Sequence, residues 1–389
     1  MNKLKRYLSI EELREKAQSS VPKMFFDYCE SGSWDEESLN KNISDLKNIQ
    51  FKPRVVRNLS NRKTKINLLG EEFGMPIGLS PCGLTGMQHA DGEIHAAKAA
   101  EKFQIPFTLS TMSIVSIEDL AKNVSREFWF QLYVMKDRKL TNDLMARAKA
   151  VGCNTLVLTV DLQVLGIRYK DVKNGLSTPP KLTIKTLLDL ALKPKWAFQI
   201  AKTKNKTFGN LKPYITNVSN LNSLSSWINE QFDESLSWDD IKKFRDLWPG
   251  KLIIKGIMAP EDAELATSMG ADALIISNHG GRQLDGCASS VSALIEIKNN
   301  LSSKQISLLF DGGIRNGKDV LKVRALGASM GMIGRPYLYG LGAGGESGVI
   351  RALEILHEQL DRTMALCGHR DINTVDRSIL KSNEPQIAT

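Results

Sequence analysis

The chain has 389 residues, 42% of them hydrophobic and 24% charged, globular proportions that argue against extended disorder or a fibrous protein. Its apolar runs fall far short of the roughly 20 residues a membrane-spanning helix needs, and its first residues lack an apolar stretch of signal-peptide length. The formal charge of +9, from 52 basic and 43 acidic residues, leaves nucleic acid, an anionic membrane surface and anionic small molecules open as partners.

Five cysteines (Cys29, Cys82, Cys153, Cys287, Cys367) stand singly, without C-x-x-C pairs or histidines at zinc-ligand spacing. That pattern argues against a disulfide framework and a structural metal, and it fits a reducing cytoplasm.

In chain order, residues 1–74 read as helical at 10–18 and 22–31, then as extended connections, forming a cap over one end of a larger body. From residue 75 a unit repeats, a short apolar, β-branched or aromatic run and then an amphipathic stretch. Strands are expected at 75–79, 106–109, 128–134, 155–160, 251–254, 273–276, 306–310 and 331–334. Helices are expected at 91–103, 116–124, 141–150, 239–247, 260–269, 318–326 and 349–366. Such alternation implies parallel strands with right-handed crossovers, and eight units close into a (β/α)8 TIM barrel of the α/β class. The expectation is one barrel domain over 1–389, with an N-terminal helical cap (1–74) and a long insertion after the fourth strand, at about 170–237.

Within the insertion, residues 181–213 hold eight lysines and one acid, Asp189, among apolar residues that include Leu188, Trp196 and Phe198. This composition suits a segment lying on an anionic membrane surface, with a solvated lid as the plainer alternative. No aromatic–basic platform or nucleic-acid motif accompanies it, so no nucleic-acid partner is expected.

A barrel builds its active face from the loops after the strands' carboxyl ends. Polar residues fall there in every unit: Ser80 with Pro81, Ser110, Gln131 with Tyr133, Thr159 with Asp161, Lys255, Ser277 with His279, Asp311, and Gly334 with Arg335. The densest cluster is Ser277-Asn278-His279-Gly280-Gly281-Arg282-Gln283-Leu284-Asp285. Histidine is the side chain best suited to act as a base near neutral pH, and Arg282 can grip a carboxylate through two parallel hydrogen bonds. Asp161 is the acid best placed to orient His279. Arg168 could add a second positive charge for a substrate carboxylate, although an isolated arginine more often serves in an ion pair.

At the seventh and eighth strand ends, Gly312, Gly313, Arg315, Gly334 and Arg335 combine exposed backbone N–H groups with positive charge, at the corner where barrels commonly bind phosphate. With no nucleotide fingerprint in the first unit, this points to FMN or a sugar phosphate. Lys255 then has two readings, a Schiff-base aldolase lysine or a cation beside a flavin ring. Only the flavin reading also employs His279 and the arginines.

These blocks, with Phe130-Gln-Leu-Tyr133, Thr159-Val-Asp161, Leu252-Ile-Ile-Lys-Gly256 and Asp311-Gly-Gly-Ile-Arg315, resemble the FMN-dependent 2-hydroxy-acid dehydrogenase and oxidase family over nearly the whole chain. The resemblance implies that His279, supported by Asp161, takes a proton from the substrate 2-hydroxyl or its α-carbon. Arg282, Arg168 and Tyr28 would hold the carboxylate, with Tyr133 near the reacting hydroxyl. Pro81, Cys82, Gly83, Ser110, Gln131, Thr159 and Lys255 would surround the flavin ring. Ser277 and Asp311 would lie towards the ribityl chain, and Gly312, Gly313, Arg315, Gly334 and Arg335 at the phosphate.

Within the family the likeness is greatest to bacterial L-lactate dehydrogenases, carried by Gly86-Met-Gln-His-Ala-Asp-Gly92 and Leu109-Ser-Thr-Met-Ser113. That implies oxidation of L-lactate to pyruvate, a quinone or cytochrome as acceptor, and peripheral attachment to the inner face of the cytoplasmic membrane. A homo-oligomer is also expected from the family and from the commonness of symmetric assemblies. Cys82-Gly83 stands where Thr-Ala or Thr-Gly is more familiar, and Leu162-Gln-Val-Leu165 resembles mandelate dehydrogenase somewhat more than the lactate enzymes. L-mandelate dehydrogenase and glycolate or 2-hydroxy-acid oxidase are therefore the alternatives within the family. A Schiff-base aldolase and an inactive flavin-binding scaffold are the alternatives outside it. Met112 and Leu165 are the expected liners of the substrate side-chain pocket.

Overall fold

The structure, a computed structural model, describes residues 3–176, 184–215, 230–303 and 305–381. A short antiparallel hairpin, β1 (Ile66–Leu68) and β2 (Glu71–Phe73), precedes the barrel. Among the described residues, eight parallel strands then form one sheet: β3 (Ile77–Leu79), β4 (Thr108–Ser110), β5 (Trp129–Tyr133), β6 (Thr155–Thr159), β7 (Lys251–Ile257), β8 (Ala273–Ile276), β9 (Ser307–Asp311) and β10 (Met330–Ile333). The order is β3-β10-β9-β8-β7-β6-β5-β4, and a bridge from Leu79 to Phe107 brings the two edges together. The result is a nearly closed TIM barrel, with every expected strand in place. All residues of β6, β8 and β10 are buried, because parallel strands carry side chains inside the barrel and helices outside it.

The register aligns the functional ends of the strands. Ser110 lies beside Gln131, Tyr133 beside Thr159, and Thr159 beside Lys255. β7 is irregular between Lys255 and Ile257. Gly256, at that point, has φ +108°, and a Cβ there would lie 2.7 Å from the Cβ of Asp161. The irregularity and the missing side chain together let the β6 loop fold over the end of β7.

The cap is more structured than its sequence pattern indicates. Helices Ile10–Ser20 and Lys23–Glu30 match the reading, but a third helix, Glu37–Asn48, and the β1–β2 hairpin fill the stretch read as extended connections. The third helix has no side-chain cap of its own. Instead the backbone N–H groups of Asp35, Glu37 and Ser38 donate to the Asp285 carboxylate at 3.1, 3.3 and 2.8 Å. A capping partner so distant in sequence leaves no local signature.

The last helix, Arg335–Leu366, starts well before the expected residue 349 and breaks at Gly344 and Gly345. Its glycine-rich first half resembles a loop in sequence, yet in the fold it packs against the first helix. A Cβ on Gly342 would lie 2.8 Å from Val21 Cγ2 and 3.0 Å from Ala17 Cβ. After β6, the insertion holds helices Tyr169–Lys173, Ile184–Ala191 and Pro194–Lys202. The start of the expected lysine-rich stretch, 181–183, lies outside the described residues.

Candidate active site

His279 follows β8 and Asp161 follows β6, and the fold brings His279 Nδ1 within 2.9 Å of Asp161 Oδ1. A carboxylate only accepts, so in the neutral ring Nδ1 carries the proton and Nε2 presents a bare lone pair. The Tyr133 hydroxyl lies 3.4 Å from that Nε2. Burial works to raise the Asp161 carboxyl, but His279 and the Lys255 ammonium outweigh it and hold the carboxyl below its usual range. Burial, reinforced by Asp161, pushes the Tyr133 phenol well above its usual range, so it remains a hydrogen-bond donor.

Beside this pair, two guanidinium groups approach one ring. The Arg282 and Arg168 carbons lie 4.7 and 5.8 Å from the Tyr28 ring centroid. Arg282 Nη1 donates to the carbonyls of Tyr28 (2.6 Å) and Ser31 (2.8 Å) at the end of the second cap helix. All three residues line one cleft with Tyr133, His279 and Lys255. Its apolar wall is Met112, Leu162, Leu165, Phe208 and Phe232. Phe208 and Phe232, both within the insertion, are absent from the sequence expectations, and no motif around them marks them.

Deeper in the cleft, Lys255 Nζ donates to Ser277 Oγ at 3.0 Å and lies 3.3 Å from Asp311 Oδ2. Burial works to lower the Lys255 pKa, but Asp311 and Asp161 outweigh it and raise it above the ordinary value. A Schiff-base lysine needs the opposite shift, so this environment favours the flavin reading over the aldolase one. Ser110 Oγ donates to Gln131 Oε1 at 2.9 Å. Ser80 Oγ, Gln131 Nε2 and Thr159 Oγ1 are buried with no partner among the described residues.

Gly312, Gly313, Arg315, Gly334 and Arg335 line the same cleft with Pro81, Cys82 and Gly83; Cys82 lies near Gly334, and Gly83 beside Met112 and the Tyr28 hydroxyl. The helix that starts at Arg335 has no side-chain cap, which leaves its first N–H groups open to an anion. Arg335 donates to the carbonyls of Cys29, Gly280 and Ser31 at 2.9, 3.1 and 3.1 Å. Burial and the neighbouring Arg315 push its pKa below the ordinary arginine value. Among the described residues neither arginine has an ion-pair partner.

The family model for FMN-dependent dehydrogenases matches residues 17–382. The chain belongs to the FMN-dependent dehydrogenase family. It is 43% identical over 365 residues to an L-lactate dehydrogenase of Haemophilus influenzae (strain PittEE), covering 94% of this chain and 95% of that relative. An L-lactate dehydrogenase of Caulobacter vibrioides (strain NA1000 / CB15N) is 40% identical over 379 residues, 97% and 98% of the two chains. Among solved structures, the monotopic membrane protein (S)-mandelate dehydrogenase superposes with a TM-score of 0.92 at 37% identity, covering 97% of this chain and 100% of that one.

The residues of this FMN-dependent dehydrogenase fit the cofactor. Buried polar groups without partners are costly unless a ligand supplies them, and those of Ser80, Gln131 and Thr159 suit a heterocycle rich in acceptors and donors. Arg315, Arg335 and the uncapped helix start form a site short of negative charge, as a phosphate requires.

Proposed function

We propose that this FMN-dependent dehydrogenase oxidises a small L-2-hydroxy acid, L-lactate to pyruvate, and passes the electrons to a quinone or cytochrome. The observation that carries this reading is the placement of two guanidinium groups around Tyr28, beside the His279–Asp161 pair, in one cleft. Arg282, Arg168 and the Tyr28 hydroxyl hold the substrate carboxylate. The 2-hydroxyl then meets Tyr133 and His279. His279 Nε2 takes one proton, from the hydroxyl or the α-carbon, and Asp161 stabilises the imidazolium that results. Bound FMN supplies the two-electron acceptor, held by Pro81, Cys82, Gly83, Ser110, Gln131, Thr159 and Lys255, with Ser277 and Asp311 towards the ribityl chain. Gly312, Gly313, Arg315, Gly334 and Arg335 hold its phosphate.

The curated relatives named L-lactate dehydrogenase support lactate. The broad apolar wall of Met112, Leu162, Leu165, Phe208 and Phe232 favours a second reading, L-mandelate. Its phenyl ring would lie against that wall.

No helix among the described residues is long and apolar enough to cross a membrane. Attachment as a peripheral protein on the inner face of the cytoplasmic membrane is supported by the insertion, where Leu188, Leu192 and Phe198 are exposed beside lysines. It is also supported by the neighbour described as a monotopic membrane protein.

The test is to mix the flavin-loaded protein with L-lactate, glycolate and (S)-mandelate in turn, without oxygen. L-lactate should bleach the flavin fastest, and His279→Ala should retain flavin but lose that bleaching by roughly 10³-fold or more. Fastest bleaching by (S)-mandelate would select the second reading, and equal bleaching of parent and variant would remove His279 as the base.

A further inference from the structure

Asp171 belongs to no expected site and does not line the cleft, yet the carboxylate-binding arginines are organised around it. It lies in the short helix Tyr169–Lys173 and is 5% exposed. Its Oδ2 accepts from Arg168 Nε at 2.6 Å, and its Oδ1 accepts from Ser31 Oγ at 3.0 Å. Ser31 in turn accepts from Arg282 Nη1, through its carbonyl at 2.8 Å and its hydroxyl at 3.2 Å. One carboxylate thus ties down Arg168 directly and Arg282 through a single serine.

This arrangement has two physical consequences. A long arginine side chain loses much rotamer freedom when it grips a ligand, and a partner that fixes it beforehand removes that loss from the binding step. Because Asp171 takes Nε, the Nη edge of Arg168, which has no hydrogen-bond partner among the described residues, is left for a second, ligand carboxylate. The charge also balances. Two guanidinium groups and one carboxylate leave a single net positive charge, which one monocarboxylate neutralises.

We propose that Asp171 is the positioning residue of the substrate-carboxylate site, holding Arg168 for a 2-hydroxy monocarboxylate without touching it. This rests on the proposed role of the cleft in binding a 2-hydroxy acid. The opposing effect is electrostatic, since removing a negative charge near the site would by itself tighten anion binding. Positioning requires the net change to be a loss.

The test is titration of the flavin-loaded protein with pyruvate, monitored by the flavin absorption band, alongside steady-state oxidation of L-lactate. Asp171→Ala should raise the pyruvate Kd and the lactate KM by roughly tenfold or more, with kcat within about threefold and flavin content unchanged. Asp171→Asn, which keeps one acceptor oxygen for Arg168 Nε and turns its amide NH2 to the Ser31 hydroxyl oxygen, should recover part of the loss. In an Arg168→Ala background, either Asp171 substitution should add less than about twofold, because the residue acts through that arginine. An unchanged or lower Kd, or an equal loss with and without Arg168, overturns the proposal. Should Asp171→Ala fail to fold, Asp171→Leu, branched at Cγ like Asp but without an acceptor, carries the same comparison across the two backgrounds. A parent protein whose flavin responds to neither pyruvate nor L-lactate overturns the reading of the cleft itself, a result distinct from a parent that responds and a variant that matches it.

Discussion

His279, Gly280 and Gly281 take left-handed torsions in succession (φ 58°, 65° and 74°), a conformation that costs an L-residue about 1–2 kcal/mol. The neighbouring side chains hold the turn in place. Asn278 exchanges hydrogen bonds with Asn42 at 2.7 and 3.0 Å, and Gln283 Nε2 donates to the carbonyls of Asp161 and Val164 at 2.8 Å each. His279 and Arg282 are thereby left to face the cleft. Glu93 does comparable work at two other loops. Its Oε1 accepts from the backbone N–H groups of Gly86 (3.2 Å) and Ile114 (2.9 Å), while its Oε2 is buried without a partner among the described residues. Burial pushes this carboxyl from 4.5 up to about 7. A folded-state pKa above the unfolded one contributes stability that is complete below the unfolded value and lost as pH rises through the folded one. The wild-type protein should therefore lose roughly 3 kcal/mol as pH rises from about 4.5 through about 7 from this group. Glu93→Gln keeps an oxygen for both N–H groups and lacks that titration. Melting curves should show the variant gaining on the parent by a few degrees from pH 5 to pH 8, and parallel pH profiles would mean that Glu93 does not titrate in this window.

At the scale of an element, β7 carries Lys255 beside the loop that holds Asp161. Lys255 is in register with Thr159, and the irregularity just after it admits the Asp161 loop over Gly256. A methyl group at Gly256 would sit 2.7 Å from Asp161 Cβ and Cγ, on a backbone with φ +108°. Gly256→Ala should push Asp161 away from His279, slowing flavin reduction by about 10²-fold, and lower the melting temperature, while flavin remains bound. Unaltered reduction kinetics would show that the loop accommodates the methyl group. The barrel itself was legible because each strand is a short apolar, β-branched or aromatic run followed by polar or glycine residues, a local signal repeated eight times. His279, Asp161 and Arg282 were legible because they stand at those ends. The third cap helix was hidden because its cap, Asp285, comes from the loop after β8 rather than from its own sequence. The early start of the last helix was hidden because its glycines serve close helix packing, which reads locally as a turn. Asp171 and Phe208 carry no periodic or motif signal, since only the folded insertion brings them to the site.

For the molecule as a whole, the insertion supplies both cleft-lining side chains, Phe208 and Phe232, and outward-facing apolar ones. Helix Pro194–Lys202 has no buried residue, and Leu188, Leu192 and Phe198 are 61%, 77% and 61% exposed. These helices are nevertheless fastened to the body. Asp189 accepts from the Lys23 N–H at 2.6 Å, Trp196 donates to the Met87 carbonyl at 2.8 Å and stacks on Phe25, and Asp91 accepts from Thr203 and Asn205 at 2.7 Å each. Lys23 and Phe25 belong to the cap helix that also carries Tyr28, so the exposed apolar side chains are anchored beside the cleft. Fixed apolar side chains flanked by Lys195, Lys202 and Lys206 suit an anionic bilayer. Each apolar chain contributes about 1.5–3 kcal/mol when fully buried, and each nearby lysine about 1 kcal/mol. Replacing Leu188, Leu192 and Phe198 by Ser should lower partitioning onto vesicles containing phosphatidylglycerol by more than about tenfold. Raising the salt to about 0.5 M should weaken the parent's binding through screening of the lysines. Anaerobic reduction of the flavin by L-lactate in solution should be unchanged in the variant, because none of the three residues lines the cleft. If parent and variant sediment equally with vesicles, the surface that meets the membrane lies elsewhere, and the proximity of these helices to the cleft has no bearing on how electrons leave it.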